Sequence, residues 1–231
     1  FLLYNLSCFF IGAGVAFSHQ YRFAAVETVN KDMAPKAISI ILLAGIGSAF
    51  IGPNIANISK DIITNHLYAG SYITLSILTL SSSVFLLFYK DNHKLDNNDL
   101  KTSRSYLELI SQPRFLQALI SSAFAYAVMS FLMTATPISM HVMEKMSLSK
   151  TGIVIQFHVA SMFLPSLITG HLIKKIGHSN VIYAGLFLYS ITLFISIFDQ
   201  SFYNYMIALI FLGLGWNFLF IAGTSLLVLT Y

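Results

Sequence analysis

The sequence predicts an all-α fold, a polytopic membrane helix bundle with about seven transmembrane helices. Three observations predict it. Hydrophobic residues fill 56% of the 231 positions, while Asp, Glu, Lys and Arg together supply only 10%, against about 25% charged residues in a soluble domain. Mean hydropathy is +0.74. The apolar residues gather into seven runs, roughly 1–26, 37–59, 66–89, 114–140, 149–173, 179–198 and 203–231, each long enough to cross a hydrocarbon core of about 30 Å at about 1.5 Å per residue. So few charges cannot cover a water-facing surface, and in lipid the backbone must be satisfied inside helices. The runs are apolar all round rather than alternating, which argues against strands.

In chain order, the first run carries Cys8, Gly12 and Gly14, then turns polar at His19, Gln20, Arg22 and Glu27. A single cysteine rules out an internal disulfide framework and cysteine-based metal sites. The second run holds Gly45, Gly47 and the pair Gly52-Pro53. The third ends at a polar stretch, Lys90 to Pro113, whose mixed charges read as a solvated cytoplasmic linker rather than a site. It divides three spans (1–89) from four (114–231). The fourth run closes on Met133, Thr134, Thr136, Pro137 and Met140; the fifth holds Gln156, His158, Met162 and Pro165. The seventh follows Gly213 and Gly215 with Trp216 and Asn217. Pro53, Pro137 and Pro165 each remove an intrahelical hydrogen bond and kink their spans.

Lys and Arg set the orientation. Arg22, Lys31, Lys36, Lys90, Lys94, Lys101, Arg104, Arg114, Lys174 and Lys175 fall on one side; Lys60, Lys145 and Lys150 fall on the other. The richer side is cytoplasmic, so the first span runs from outside to inside. The net charge of +4 belongs to these loops and does not point to nucleic acid. No signal peptide is visible. The chain opens and closes inside apolar runs, so it is expected to be an internal piece of a longer protein. Gly12-Ala13-Gly14 and Gly213-Leu214-Gly215 lie 201 residues apart, an offset of six spans and a faint sign of two six-helix halves.

Several stretches then resemble one bacterial branch of the major facilitator superfamily. They are His19-Gln20-Tyr21-Arg22-Phe23-Ala24-Ala25, Pro35-Lys36-Ala37-Ile38-Ser39, Gly52-Pro53 and Met133 to Met140. Ile155 to Val159, Met162 to Ser166, Thr169 to Ile173 and Gly213 to Phe218 complete the set. The resemblance implies a partial copy of that fold, matching helices four to ten, with Lys90–Pro113 as the central cytoplasmic loop. The family's loop motif between helices eight and nine falls on Gly170 to Gly177, but its usual acidic position is Lys174. Gly45, Gly47, Gly52 and Pro53 resemble the glycine-rich motif of antiporter branches, with Ala56 and Asn57 replacing its last glycine pair.

Candidate site residues follow from the cost of polar groups in lipid. His158 lies on one helical face with Ile155 and Met162; its imidazole could bond a solute or carry a proton, or simply tie two helices. Gln156 faces elsewhere and suits a ligand or a cross-helix bond. Asn217 in mid-span is costly unless paired, and Trp216 offers a flat stacking face. The resemblance implies that the fourth and seventh runs, helices seven and ten of that fold, line a central cavity. Thr134, Met133, Met162, His19 and Gln20 are further solute-contact candidates. Arg22 and Glu27, five apart and so not an ideal helical pair, are gating candidates with Gly52, Pro53, Gly170 and Lys174. No Asp or Glu falls mid-span.

The expected function is therefore a secondary transporter moving a small solute by alternating access. The alternative is a seven-helix receptor or another non-transport membrane protein; the last span holds no Lys for a Schiff base. No GxSxG or HExxH occurs, so no enzyme, metal or cofactor is expected. Expected partners are a small-molecule solute, the lipid bilayer and a coupling proton or cation, with no nucleic acid. The protein is expected to be monomeric and multi-pass in a bacterial cytoplasmic (inner) membrane. Some relatives of the branch are described as riboflavin transporters, making a riboflavin-like solute one expectation.

Overall fold

The computed structural model describes residues 2–27, 29–66, 68–88 and 105–230. Among them the chain is helical, without a strand: α1 Leu2–Ser18, α2 Tyr21–Glu27, α3 Ala34–Ser59, α4 Ala69–Leu86, α5 Tyr106–Ile110, α6 Pro113–Ile138, α7 Leu148–Phe163, α8 Ser166–Ile176, α9 His178–Phe198 and α10 Phe202–Val228. Six spans among the described residues are long and apolar enough to cross a membrane. Two are broken: α1 with α2 forms one, and α7 with α8 forms another. The chain is an integral, multi-pass membrane protein. The remaining expected span, 66–89, corresponds to α4, whose described apolar stretch Ala69–Val84 is shorter than the six. Most of the expected linker, residues 90–104, lies outside the described residues, and so do Lys90, Lys94, Lys101 and Arg104.

Local chemistry sets the boundaries. Pro35 and Pro113 sit in the first turns of α3 and α6, where a missing N–H is not needed. Ser147 and Ser201 cap α7 and α10 by accepting from the backbone N–H of Lys150 and Asn204. One residue, Gly177, connects α8 to α9 at φ +86°, a backbone setting that side chains resist. Pro165 falls at the joint between α7 and α8, as its missing donor requires.

The core sits around α10. This helix packs on α6, α7 and α9, and Leu212, Trp216, Asn217, Leu219, Phe220 and Ile221 on it are buried. Polar bonds link the layers: Ser121 Oγ donates to the Leu219 carbonyl at 2.8 Å, and Tyr189 Oη donates to the Ala125 carbonyl at 2.8 Å. Gly213 lets α7 approach closely, since a Cβ there would meet Ser161 and the His158 carbonyl. The first group of helices reaches the second mainly through α3, which packs on α7 and α8. A Cβ on Gly45 of α3 would strike the ring of Phe163. α1, by contrast, buries no residue.

Candidate functional site

The break between α1 and α2 places His19 against the second group of helices. Tyr126 on α6 is bonded to His19 Nε2 at 2.8 Å, and Arg22 donates a guanidinium N–H to His19 Nδ1 at 3.3 Å. Because guanidinium only donates, Nδ1 is the acceptor, and in the neutral ring Nε2 carries the hydrogen toward Tyr126. Arg22 also lies over the Phe220 ring, its Cζ 4.4 Å from the centroid, and 4.8 Å from that of Phe23.

Four residues apart on α10, Trp216 and Phe220 share a face. Their rings stack at 4.6 Å with 20° between planes. Tyr126 meets both edge-on, at 5.6 Å and 5.1 Å, and Phe163 meets Trp216 at 6.0 Å. The result is a knot of flat rings from α6, α7 and α10, with His19 from the α1–α2 break and Arg22 of α2 at its rim. The structure brings Trp216, His19 and Arg22 together, as three of the sequence-derived candidates. It adds Tyr126, Phe163 and Phe220, which are not among those candidates. Phe220, one turn beyond Trp216, had a readable signal in that spacing; Tyr126 and Phe163 look like any aromatic in an apolar run.

Asn217 points away from the knot, into the joint between α7 and α8. Its Nδ2 donates to the Met162 carbonyl at 2.6 Å and to Ser166 Oγ at 2.7 Å, and its Oδ1 accepts from Thr169 Oγ1 at 2.6 Å. The break leaves carbonyls without helical partners, and the amide takes one of them. Met162 is buried beside it. His158 is fully enclosed, and its Nδ1 donates to the Leu209 carbonyl at 2.8 Å. That bond ties α7 to α10, and Nε2 is buried without a partner.

Gln156 faces a different space. With Pro53, Asn54, Asn57, Lys60 and Tyr68 it lines an open cavity of about 690 Å³ between the C-terminal end of α3 and the N-terminal half of α7. Gly52, one residue from Pro53, is exposed, and a Cβ there would meet nothing within 4 Å. At the opposite end, a Cβ on Gly170 of α8 would lie 3.0 Å from Ser39 Oγ and 3.1 Å from the Pro35 carbonyl of α3. Lys174 donates to the Met33 thioether at 3.2 Å. Glu27 is exposed on that side, and Arg22 turns to His19 and Phe220 instead.

The other candidates lie apart from the knot. Gln20 is exposed. Thr134 is exposed and donates to the Ser130 carbonyl of its own helix at 2.8 Å. Met133 packs half-buried against the core.

A family model described as Major Facilitator Superfamily matches residues 3–231. The chain is 34% identical over 228 residues to the riboflavin transporter RfnT of Brucella anthropi, covering 98% of this chain and 57% of that protein. It is 28% identical over 246 residues to YddS of Bacillus subtilis, an uncharacterized MFS-type transporter, covering 96% and 55%. Another uncharacterized MFS-type transporter of that organism, YdeG, is 29% identical over 244 residues, covering 99% and 56%. The chain thus spans about half the length of these curated relatives. No solved structure matches.

Proposed function

The chain belongs to the major facilitator superfamily, and from that premise we propose that it is part of a secondary transporter moving a small solute by alternating access. In this reading α1–α4 belong to one half and α6–α10 to the other, divided at the segment 90–113. Rocking of the halves exposes a shared site to each side in turn. No bond is broken, so the work falls to positioning and to gates.

The observation that carries this reading is the aromatic knot. Residues from both groups of helices meet there, at His19–Tyr126 and Arg22–Phe220, so motion between the groups must rearrange it. Solute contact is assigned to Trp216, His19 and Tyr126. His158, Asn217 and Met162 hold the helices that carry them. Arg22 and Phe220, with Lys174 and Gly170 nearer the loop, close the cytoplasmic side; Pro53 and Gln156 border the outer one. A ring-bearing solute suits these faces, and the relative named a riboflavin transporter supports a riboflavin-like one. The home of the protein is a bacterial cytoplasmic membrane, in the orientation that the charge bias sets. The receptor alternative has no support among the matched relatives.

The test is a flux screen in vesicles carrying the full-length protein, with riboflavin in the solute panel, run with and without a proton gradient. Movement of one solute, lost in Trp216→Ala while membrane insertion persists, supports the proposal. Fluxes equal to those of protein-free vesicles across the panel would falsify it.

A further inference from the structure

His19 Nδ1 offers its lone pair to the Arg22 guanidinium, 3.3 Å away, while Nε2 lies 2.8 Å from Tyr126 Oη. That arrangement exists only while the imidazole is neutral. A proton added at Nδ1 turns the acceptor into a second donor. It also sets two positive groups at contact distance, where they repel. The same guanidinium lies over the Phe220 ring of α10 at 4.4 Å, so whatever displaces Arg22 also breaks the contact between α2 and α10. The imidazole is half-buried rather than sealed, within reach of a proton from water.

The groups that face this ring are few. α2 brings Arg22, while its Tyr21 and Glu27 are exposed. α6 brings Tyr126, and its one charged residue, Arg114, sits in the first turn. α10 brings the Phe220 ring, 6.4 Å from the imidazole, and its sequence holds no Asp, Glu, Lys, Arg or His. α1, which leads into the break, carries no charged residue.

We propose that His19 is the proton site of the transport cycle: a proton taken up at Nδ1 expels Arg22 from the Phe220 ring and opens the cytoplasmic side. This rests on the alternating-access reading and names the coupling ion and its carrier. Proton and closure exclude one another, so each weakens the other by the same factor. Opening exposes the imidazole to the cytoplasm, where loss of the proton restores the Arg22 pairing. His158 is not suited to this part. It is fully enclosed, its Nδ1 donates to the Leu209 carbonyl, and a proton on Nε2 leaves that bond in place.

The experiment uses purified full-length protein in a cysteine-free background, including Cys8→Ser, and a maleimide. Ser39→Cys reports the α3–α8 crossing beside Gly170, and Lys175→Cys reports reagent reactivity at the same pH. The ratio of the two labelling rates cancels the pH dependence of the thiol itself. With His19 intact, the ratio should rise at least about fivefold as pH falls from about 8 to about 5. His19→Gln, neutral throughout, should hold it flat. Arg22→Gln, which lacks the expelled cation, should raise it at every pH and flatten it. A flat ratio with His19 intact overturns the proposal, and so does a rise that persists in His19→Gln. If His19→Gln does not fold, Arg22→Gln decides: a ratio that still climbs with acid overturns it. The vesicle flux screen is separate. A pH-dependent ratio without flux of any solute would sink the transport reading, whereas solute flux with a flat ratio would sink only the proton site.

Discussion

Asn217 reaches from the middle of α10 to the Met162 carbonyl, 2.6 Å away, in the last turn of α7. The same side chain also bonds Ser166 and Thr169, so one amide spans both sides of the joint that Pro165 creates.

Asn217→Ala should therefore destabilise the full-length protein by about 1–3 kcal/mol, since it strands several buried partners at once. Thermal unfolding in detergent measures this. Ser166→Ala, which removes one bond, should cost less. Equal melting of wild type and Asn217→Ala would refute the pinning role.

The Arg22–Phe220 contact should hold the cytoplasmic side closed. Phe220→Leu keeps bulk and removes the ring face, at a cost of about 0.5–2 kcal/mol. Ser39→Cys, near Gly170 at the α3–α8 crossing, should then react faster with a thiol reagent supplied from the cytoplasmic side. Unchanged labelling in the Phe220→Leu background would remove this contact from the gate.

Glycine positions should separate sharply. Gly213→Val places side-chain atoms into Ser161 and the α7 backbone, and should cost about 1–3 kcal/mol through overpacking. Gly47→Ala, with open space around it, should melt within about 0.5 kcal/mol of wild type. Similar melting of both variants would count against close packing of α7 on α10.

Orientation can be read by labelling. In a cysteine-free background of the full-length protein, including Cys8→Ser, Lys175→Cys should react only from the cytoplasm and Lys145→Cys only from outside. The reverse pattern would invert the charge-based assignment.

The sequence announced the bundle because hydropathy and length act span by span. The joint between α7 and α8 was readable at Pro165, whose missing N–H must interrupt the ladder. The break at His19-Gln20 was not, since neither residue forbids helix. Among site residues, Asn217 was legible as a group that needs partners, but sequence alone does not say whether those partners are helices or a solute. His158 and Gln156 illustrate the same gap. Two positions apart, one is enclosed between helices and the other borders an open cavity. Tyr126 and Phe163 acquire significance only from what α10 and α2 bring beside them. Long-range packing decides such roles, and no local pattern encodes it.

The central place of α10 bears on how the protein is made. Translation delivers α6, α7, α8 and α9 before the helix they all touch. Until residues 202–228 leave the ribosome, the hydroxyls of Ser166 and Thr169 and the His158 imidazole lack their α10 partners. The earlier spans must enter the bilayer individually on their own apolarity and wait. Quality control that senses unsettled helices would thus inspect this group until its last member arrives, and a nonsense codon just before Phe202 would leave a fully inserted but unassembled product for proteolysis.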